Sequence, residues 1–246
     1  MSALRTYAWW LGLALLAPIA LPLAVRTRRS ALRLPPAAGP LSGVAGADLP
    51  GEPLRLLVLG ESTVVGVGVD ELDAALVGQL AAALAARSGR PVAWRACGEN
   101  GITAAQAHQR LLPQVLDQSF DLALLVFGVN DTTHLTPLPR WEAALGSMAE
   151  ALAARGVRVA FSSVPPLQHF SALPWLLRRL LGIRAGLLDA RLRRLAASLG
   201  AGHHAVELEF SAEYLARDGY HPSGLGYRVW AQGLAVSLVP AARYAS

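Results

Sequence analysis

Lysine is absent from this chain of 246 residues, cysteine occurs once, and charged residues make up only 16% of it. Each shortage excludes something. Cys97 has no partner for an internal disulfide, and a zinc site built from clustered cysteines is ruled out with it. Sparse charge beside 53% apolar residues excludes bulk intrinsic disorder. The 22 basic residues are all arginines, and a formal net charge of +5 invites a nucleic-acid reading. The distribution removes that reading: residues 1–50 hold five arginines and one aspartate, leaving 17 arginines against 16 acids in the remainder. A body so close to neutral lacks the concentrated basic surface that phosphate contacts need, so no nucleic-acid partner is expected. No glycine loop has the spacing and lysine of a nucleotide site; Gly66 and Gly68 read as flexibility instead.

What is present begins with residues 7–25, a run of 19 without a charge. As a helix it would span about 28 Å, close to the hydrocarbon core of a bilayer. Trp9 and Trp10 suit the headgroup region, and Pro18 and Pro22 are tolerated in lipid. The alternative is a cleaved signal peptide. No convincing small-x-small cleavage site precedes Arg26, Arg28, Arg29 and Arg33, however, and that cluster reads as a stop. The expectation is therefore a single uncleaved membrane anchor over residues 1–33. Taken literally, the arginines after the span leave the body on the cytoplasmic face; a signal-anchor would present it outside. Residues 34–53, rich in proline, glycine and alanine, read as a linker. Residues 54–246 read as one domain.

In that domain, apolar runs at residues 55–59, 92–96, 122–127 and 157–161, with a short one at 205–207, predict strands. Helices are expected over residues 72–87, from Thr103 to about 116, from Pro139 to about 155, and over 185–199 and 224–239. Strands separated by helices imply a parallel sheet covered on both faces: a three-layer α/β/α architecture with a flavodoxin-like sheet of about five strands. In such sheets functional groups gather outside the carboxyl ends of the strands.

Four segments deserve that scrutiny. Gly60-Glu61-Ser62 follows the first strand, Glu99-Asn100-Gly101-Ile102-Thr103 the second, and Gly128-Val129-Asn130-Asp131 the third, while Asp218-Gly219-Tyr220-His221 precedes the last helix. Together they supply the parts for acyl transfer through a tetrahedral intermediate. A serine hydroxyl becomes a nucleophile when a base takes its proton, and His221 is a suitable base. Asp218, three residues earlier, can hold the imidazole in the right tautomer. The Ser62 amide, the Gly101 amide and the Asn130 side-chain amide can converge as oxyanion donors. Any one segment is unremarkable; a strand followed by Gly-x-Ser, or an Asn-Asp turn, is more often structural. Their ordered occurrence at strand ends is what a purely structural chain does not readily produce.

These four blocks resemble, in order and placement, those of the SGNH (GDSL-type) hydrolase family, over residues 54–242. The resemblance implies hydrolysis of an ester or related acyl bond, with Ser62 as nucleophile, His221 as base, Asp218 as its partner, and Gly101 and Asn130 completing the oxyanion hole. Family members include lipases, lysophospholipases, thioesterases and carbohydrate deacetylases. Glu61 stands where aspartate is commoner, and the second block is degenerate, with Gly98 the alternative to Gly101. A serine esterase acting on a lipid or other acyl ester is expected. The alternatives are an acyltransferase or deacetylase acting on carbohydrate, and a binding module on the same scaffold. The chemistry calls for no metal and no organic cofactor, and no obligate protein partner is implied.

Glu61, Asp131, His134, Phe170 and Trp175 are candidates for shaping substrate access. Residues 165–188 mix apolar residues with Arg178, Arg179 and Arg184, as a lid or an interfacial helix would; an ordinary helix packed on the sheet fits them equally. Cys97 and the remaining histidines read as structural or solvated.

Overall fold

A computed structural model describes residues 2–205 and 211–239 of the chain. Among these residues six strands form one sheet: β1 (Ser42–Ala45), β2 (Leu54–Gly60), β3 (Val92–Gly98), β4 (Leu122–Val126), β5 (Arg158–Ser162) and β6 (Gly202–His204). The order is β1-β3-β2-β4-β5-β6, and every pairing is parallel except that of β1 with β3.

Strand alternation explains the layers. Leu57, Ala123 and Val159 are in register, as are Leu59, Leu125 and Phe161, and both rows face one side. Leu56, Val58, Leu122, Leu124 and Ala160 face the other. Because both faces are covered, the strands read as continuous apolar runs. On the first side lie α1 (Ser2–Ser30), α3 (Ala104–Arg110), α5 (Leu138–Ala153) and α6 (Trp175–Ser198); α2 (Leu76–Ser88) and α7 (Gly224–Leu238) cover the second. The short α4 (Val129–Thr133) closes the end of β4. The expected three-layer fold is found, with six strands in place of about five.

The chain leaves β2 for β3 on one side and returns to β4 on the other. The carboxyl ends of β2 and β4 therefore flank the point where strand order reverses, the place where such sheets open a crevice.

Several expectations need correction. Residues 34–53 do not form a linker: Ser42–Ala45 pairs with β3 as an edge strand, and the Ala37 and Ala38 amides bond to Val65 O and Asp70 O. Small residues there permit close packing, which composition alone does not distinguish from flexibility. The helix expected from Thr103 to about residue 116 stops at Arg110, because Pro113 cannot supply an amide to continue it; Leu112–Gln114 forms a separate 3-10 turn. The expected strand at residues 205–207 falls largely outside the described residues, and β6 precedes it. Of the two readings of residues 165–188, the packed helix is what the fold contains. Leu177, Leu180 and Leu188 of α6 are buried, and Leu167 is buried in a 3-10 turn before it.

α1 has the length and apolarity of a membrane span or a signal sequence, with a mean hydropathy of 2.0 over its most apolar 18-residue window within Leu4–Ser30. Its inner face packs on α6. The Trp9 indole N–H donates to Leu180 O at 2.8 Å, and the Trp9 ring lies 4.7 Å from the Arg184 guanidinium, with Trp10 at 5.3 Å. Trp9 and Ala20 are buried, whereas Leu4, Leu11, Leu15, Ile19 and Val25 are exposed. Arg184 is fully buried, and burial pulls its pKa down to about 10 against a partly compensating attraction from Asp131. The aromatic faces of α1 thus stand in for lost solvent around a cation. Replacing Trp9 with alanine should remove about 3 kcal/mol of stability, as for a buried indole elsewhere, read as a lower denaturant midpoint of the full chain in detergent.

Candidate active site

Ser62 sits two residues beyond β2, and its hydroxyl lies 3.0 Å from His221 Nε2. His221 Nδ1 is 2.6 Å from Asp218 Oδ2, while Asp218 Oδ1 accepts the backbone amides of Tyr220 and His221, each at 3.0 Å. One tight turn therefore carries both side chains and also binds its own carboxylate. Burial alone would raise the Asp218 pKa, but the bonds from His221 and Tyr220 outweigh it and hold the carboxyl below the usual range. The turn is anchored by Ala216 N–H to His221 O at 2.7 Å and by Ala172 N–H to Gly219 O at 3.1 Å.

The nucleophile loop is tied down from two directions. Val67 N–H donates to Ser62 O at 3.0 Å, and the buried Tyr227 hydroxyl of α7 donates to Val67 O at 2.7 Å. Gly68 is not a flexible joint here. It has φ +111°, and a Cβ would lie 2.4 Å from Pro222 O, so the loop can pass beside the histidine turn only without a side chain.

Glu61 is buried and joins two loops. Oε1 accepts Gly128 N–H at 2.7 Å and Oε2 accepts Asn130 N–H at 3.2 Å. Burial pushes its pKa up to about 8, with the Asp131 charge adding to the rise and the backbone amides of Gly128, Asn130 and Val129 opposing it. Burial thus favours the protonated form of the group that bridges the two loops beside Ser62. Gly128 turns at φ +133° and packs against Val164, whose side chain a Cβ would meet at 2.6 Å. The Asn130 side-chain amide donates to Ile102 O at 3.0 Å, which links the β4 loop to the loop after β3.

Residues 58–229 match the GDSL-like Lipase/Acylhydrolase family. This chain belongs to that family. Solved structures with similar folds include a lipase/acylhydrolase from Enterococcus faecalis, at 19% identity and TM-score 0.61, covering 75% of this chain and 95% of that one. Another is Axe2, an acetylxylan esterase from Geobacillus stearothermophilus, at 16% identity and TM-score 0.61, covering 76% and 95%. The psychrotrophic esterase EstA from Pseudoalteromonas shares 16% identity at TM-score 0.59, covering 75% and 96%. No curated protein sequence matches the chain.

Within this GDSL-like domain, the other expected site residues fall in different places. Gly101 turns at φ +82° in the loop after β3, with open space where a side chain would stand, whereas Gly98 lies in the ladder opposite Gly60. Asp131 is not at the substrate's edge. It is fully buried and its Oδ2 accepts the Ala104 amide at 2.9 Å, capping α3. Burial raises its pKa. His134 is exposed, its Nδ1 2.9 Å from Asn130 O, so it backs the Asn130 turn. Trp175 is exposed at the start of α6.

Phe170 does face the site. It walls, with Val129, Pro165, Tyr220 and Trp230, a cavity of about 50 Å³ that also borders Ser62 and His221. Its ring meets Tyr220 edge-on at 5.0 Å, and Tyr220 meets the His221 imidazole at 5.3 Å. Tyr220, Tyr227 and Trp230 were not singled out in the sequence. Tyr220 lies inside the histidine motif and Trp230 also borders the cavity, while Tyr227, three residues earlier on the same inner face of α7, stays in the core and reaches the site only through its bond to Val67 O.

The pKa of Glu61 has a consequence for folding. Its native value of about 8 exceeds the ordinary carboxyl value of 4.5, so its contribution favours the native state below about pH 4.5 and is lost as pH rises towards 8. Each unit of displacement corresponds to about 1.4 kcal/mol. Replacing Glu61 with glutamine should therefore improve stability relative to the parent progressively between pH 5 and 8, as measured by urea unfolding across that range. A parallel pH dependence in both proteins would contradict this.

Proposed function

We propose that the chain is a serine ester hydrolase in which Ser62, His221 and Asp218 form the catalytic triad, acting on esters of short acyl groups. The observation that carries the reading is the unbroken line of contacts from Asp218 through both imidazole nitrogens to the Ser62 hydroxyl. Family membership supplies ester hydrolysis in general terms, and the Enterococcus, Geobacillus and Pseudoalteromonas relatives carry lipase or esterase names.

As the Ser62 oxygen bonds to the ester carbonyl carbon, its proton passes to His221 Nε2, and Asp218 stabilises the imidazolium. The carbonyl oxygen takes up negative charge, for which the Ser62 and Gly101 amides and the Asn130 side chain are the proposed donors. Collapse breaks the ester C–O bond, and the leaving alcohol takes the proton from His221. Water then repeats the sequence on the acyl-enzyme and regenerates Ser62. Each proton has a donor and an acceptor among the residues named. The neutral Glu61 holds Asn130 by its backbone without opposing the oxyanion's charge.

The cavity beside Ser62 supports a small acyl group: a volume of about 50 Å³ accommodates a few water-sized groups, enough for an acyl chain of a few carbons. A panel of p-nitrophenyl esters tests this: acetate and butyrate should be turned over faster than decanoate and palmitate, and a preference for the long chains would reject the assignment. A fluorophosphonate probe should label Ser62 in the folded protein. His221→Ala should lower kcat by about 10⁴-fold with the fold retained; near-native turnover in that variant would remove His221 from the mechanism.

A further inference from the structure

α1 and α6 are not closed against each other along their whole length. Between them runs a groove of about 680 Å³, bordered on its polar side by Arg5, Arg191 and Arg194 and on its apolar side by Leu180, Ile183 and Leu187. Among the described residues, no aspartate or glutamate lines it. Arg5 and Arg194 are exposed, and neither is in an ion pair among the described residues. Arg191 gives Nη1 to Glu142 at 2.7 Å, while its Nε is buried without a hydrogen-bond partner. The groove thus joins an excess of guanidinium donors, the groups best matched to phosphate, to an apolar trough.

The surroundings of the groove single out one apolar side of the molecule. The outward face of α1 exposes Leu4, Leu11, Leu15, Ile19 and Val25 as a continuous apolar stripe, far more than a soluble surface ordinarily shows. α6, to which α1 is fastened through Trp9, carries Arg178, Arg179, Arg191, Arg193 and Arg194 and cannot enter hydrocarbon. A bilayer meeting this stripe while α1 is docked would find the helix lying along it and not across it, with the groove at headgroup depth.

We propose that the groove between α1 and α6 binds the anionic headgroup of a membrane phospholipid, with its acyl chains continuing over the apolar face of α1 into the bilayer. Arg5 and Arg194 hold the phosphate from the two helices, so lipid binding fastens α1 to the body. The proposal is independent of the esterase reading.

The test uses the full chain in neutral detergent, titrated with ether-linked phosphatidylglycerol or ether-linked phosphatidylcholine, which contain no ester to cleave. Bound lipid is counted by native mass spectrometry. Phosphatidylglycerol should bind about tenfold more tightly than phosphatidylcholine, a difference of about 1.4 kcal/mol. The double variant Arg5→Gln, Arg194→Gln should lose that preference, and Arg178→Gln, Arg179→Gln, on the same helix but outside the groove, should keep it. Arg5, Arg194 and Arg179 are exposed and Arg178 is half-buried, and unchanged melting without lipid checks that both variants fold. Equal affinity for the two lipids, or equal loss in both double variants, would overturn the proposal. Glycerol phosphate binding as tightly as the lipid would overturn it too, by showing a site for a free anion.

Discussion

The site depends on one buried carboxyl group. Glu61 reaches from the end of β2 to the amides of Gly128 and Asn130 at the end of β4, where the reversal of strand order opens the sheet. Gly60 and Val126 pair directly beneath it, so closely that a Cβ on Gly60 would stand 2.4 Å from the Val126 carbonyl. Burial raises the carboxyl's pKa to about 8 and so favours a neutral bridge. An ionised group in the same place would oppose the charge that acyl transfer develops on the neighbouring oxyanion.

A second set of contacts carries this arrangement outward. Asn130 holds Ile102 O, and Asp131, the next residue, caps α3 at Ala104. Thr136, after α4, accepts a hydrogen bond from the buried Arg184, and Arg184 is covered by Trp9 and Trp10. The leader and the site loops are thus connected through packed groups. On the opposite flank, His203 lies 2.9 Å from Asp189, whose carboxylate also receives the Val164 amide and so fixes the residue against which Gly128 packs.

Much of this could be read before folding. Strands buried on both faces announce themselves as uninterrupted apolar runs, and the Ser62, Asn130 and His221 segments stand at the ends of elements whose order implies a parallel sheet. Asp218 and His221 were legible because their interaction is local, contained in one turn. The edge strand β1 was not, since its pairing with β3 is decided by residues some fifty positions away, while glycine and alanine have the same composition in a linker as in a close-packed edge. Asp131 looked like a group at the site's edge because a carboxylate beside Asn130 is chemically suggestive; its burial under α3 follows from where that helix begins.

The layer architecture, the chemical types available at the strand ends, and the apolar character of the N-terminal helix were already present in the linear chain. These are properties of periodicity and composition, which act over a few residues. Only the tertiary structure decided that Ser62 and His221, 159 positions apart, stand at hydrogen-bond distance. It also set the protonation of Glu61, the small volume beside the nucleophile, and the docking of α1 on a buried arginine. Each of these depends on which surfaces are removed from water together, and desolvation is a property of assembled neighbours that no local stretch of chain contains.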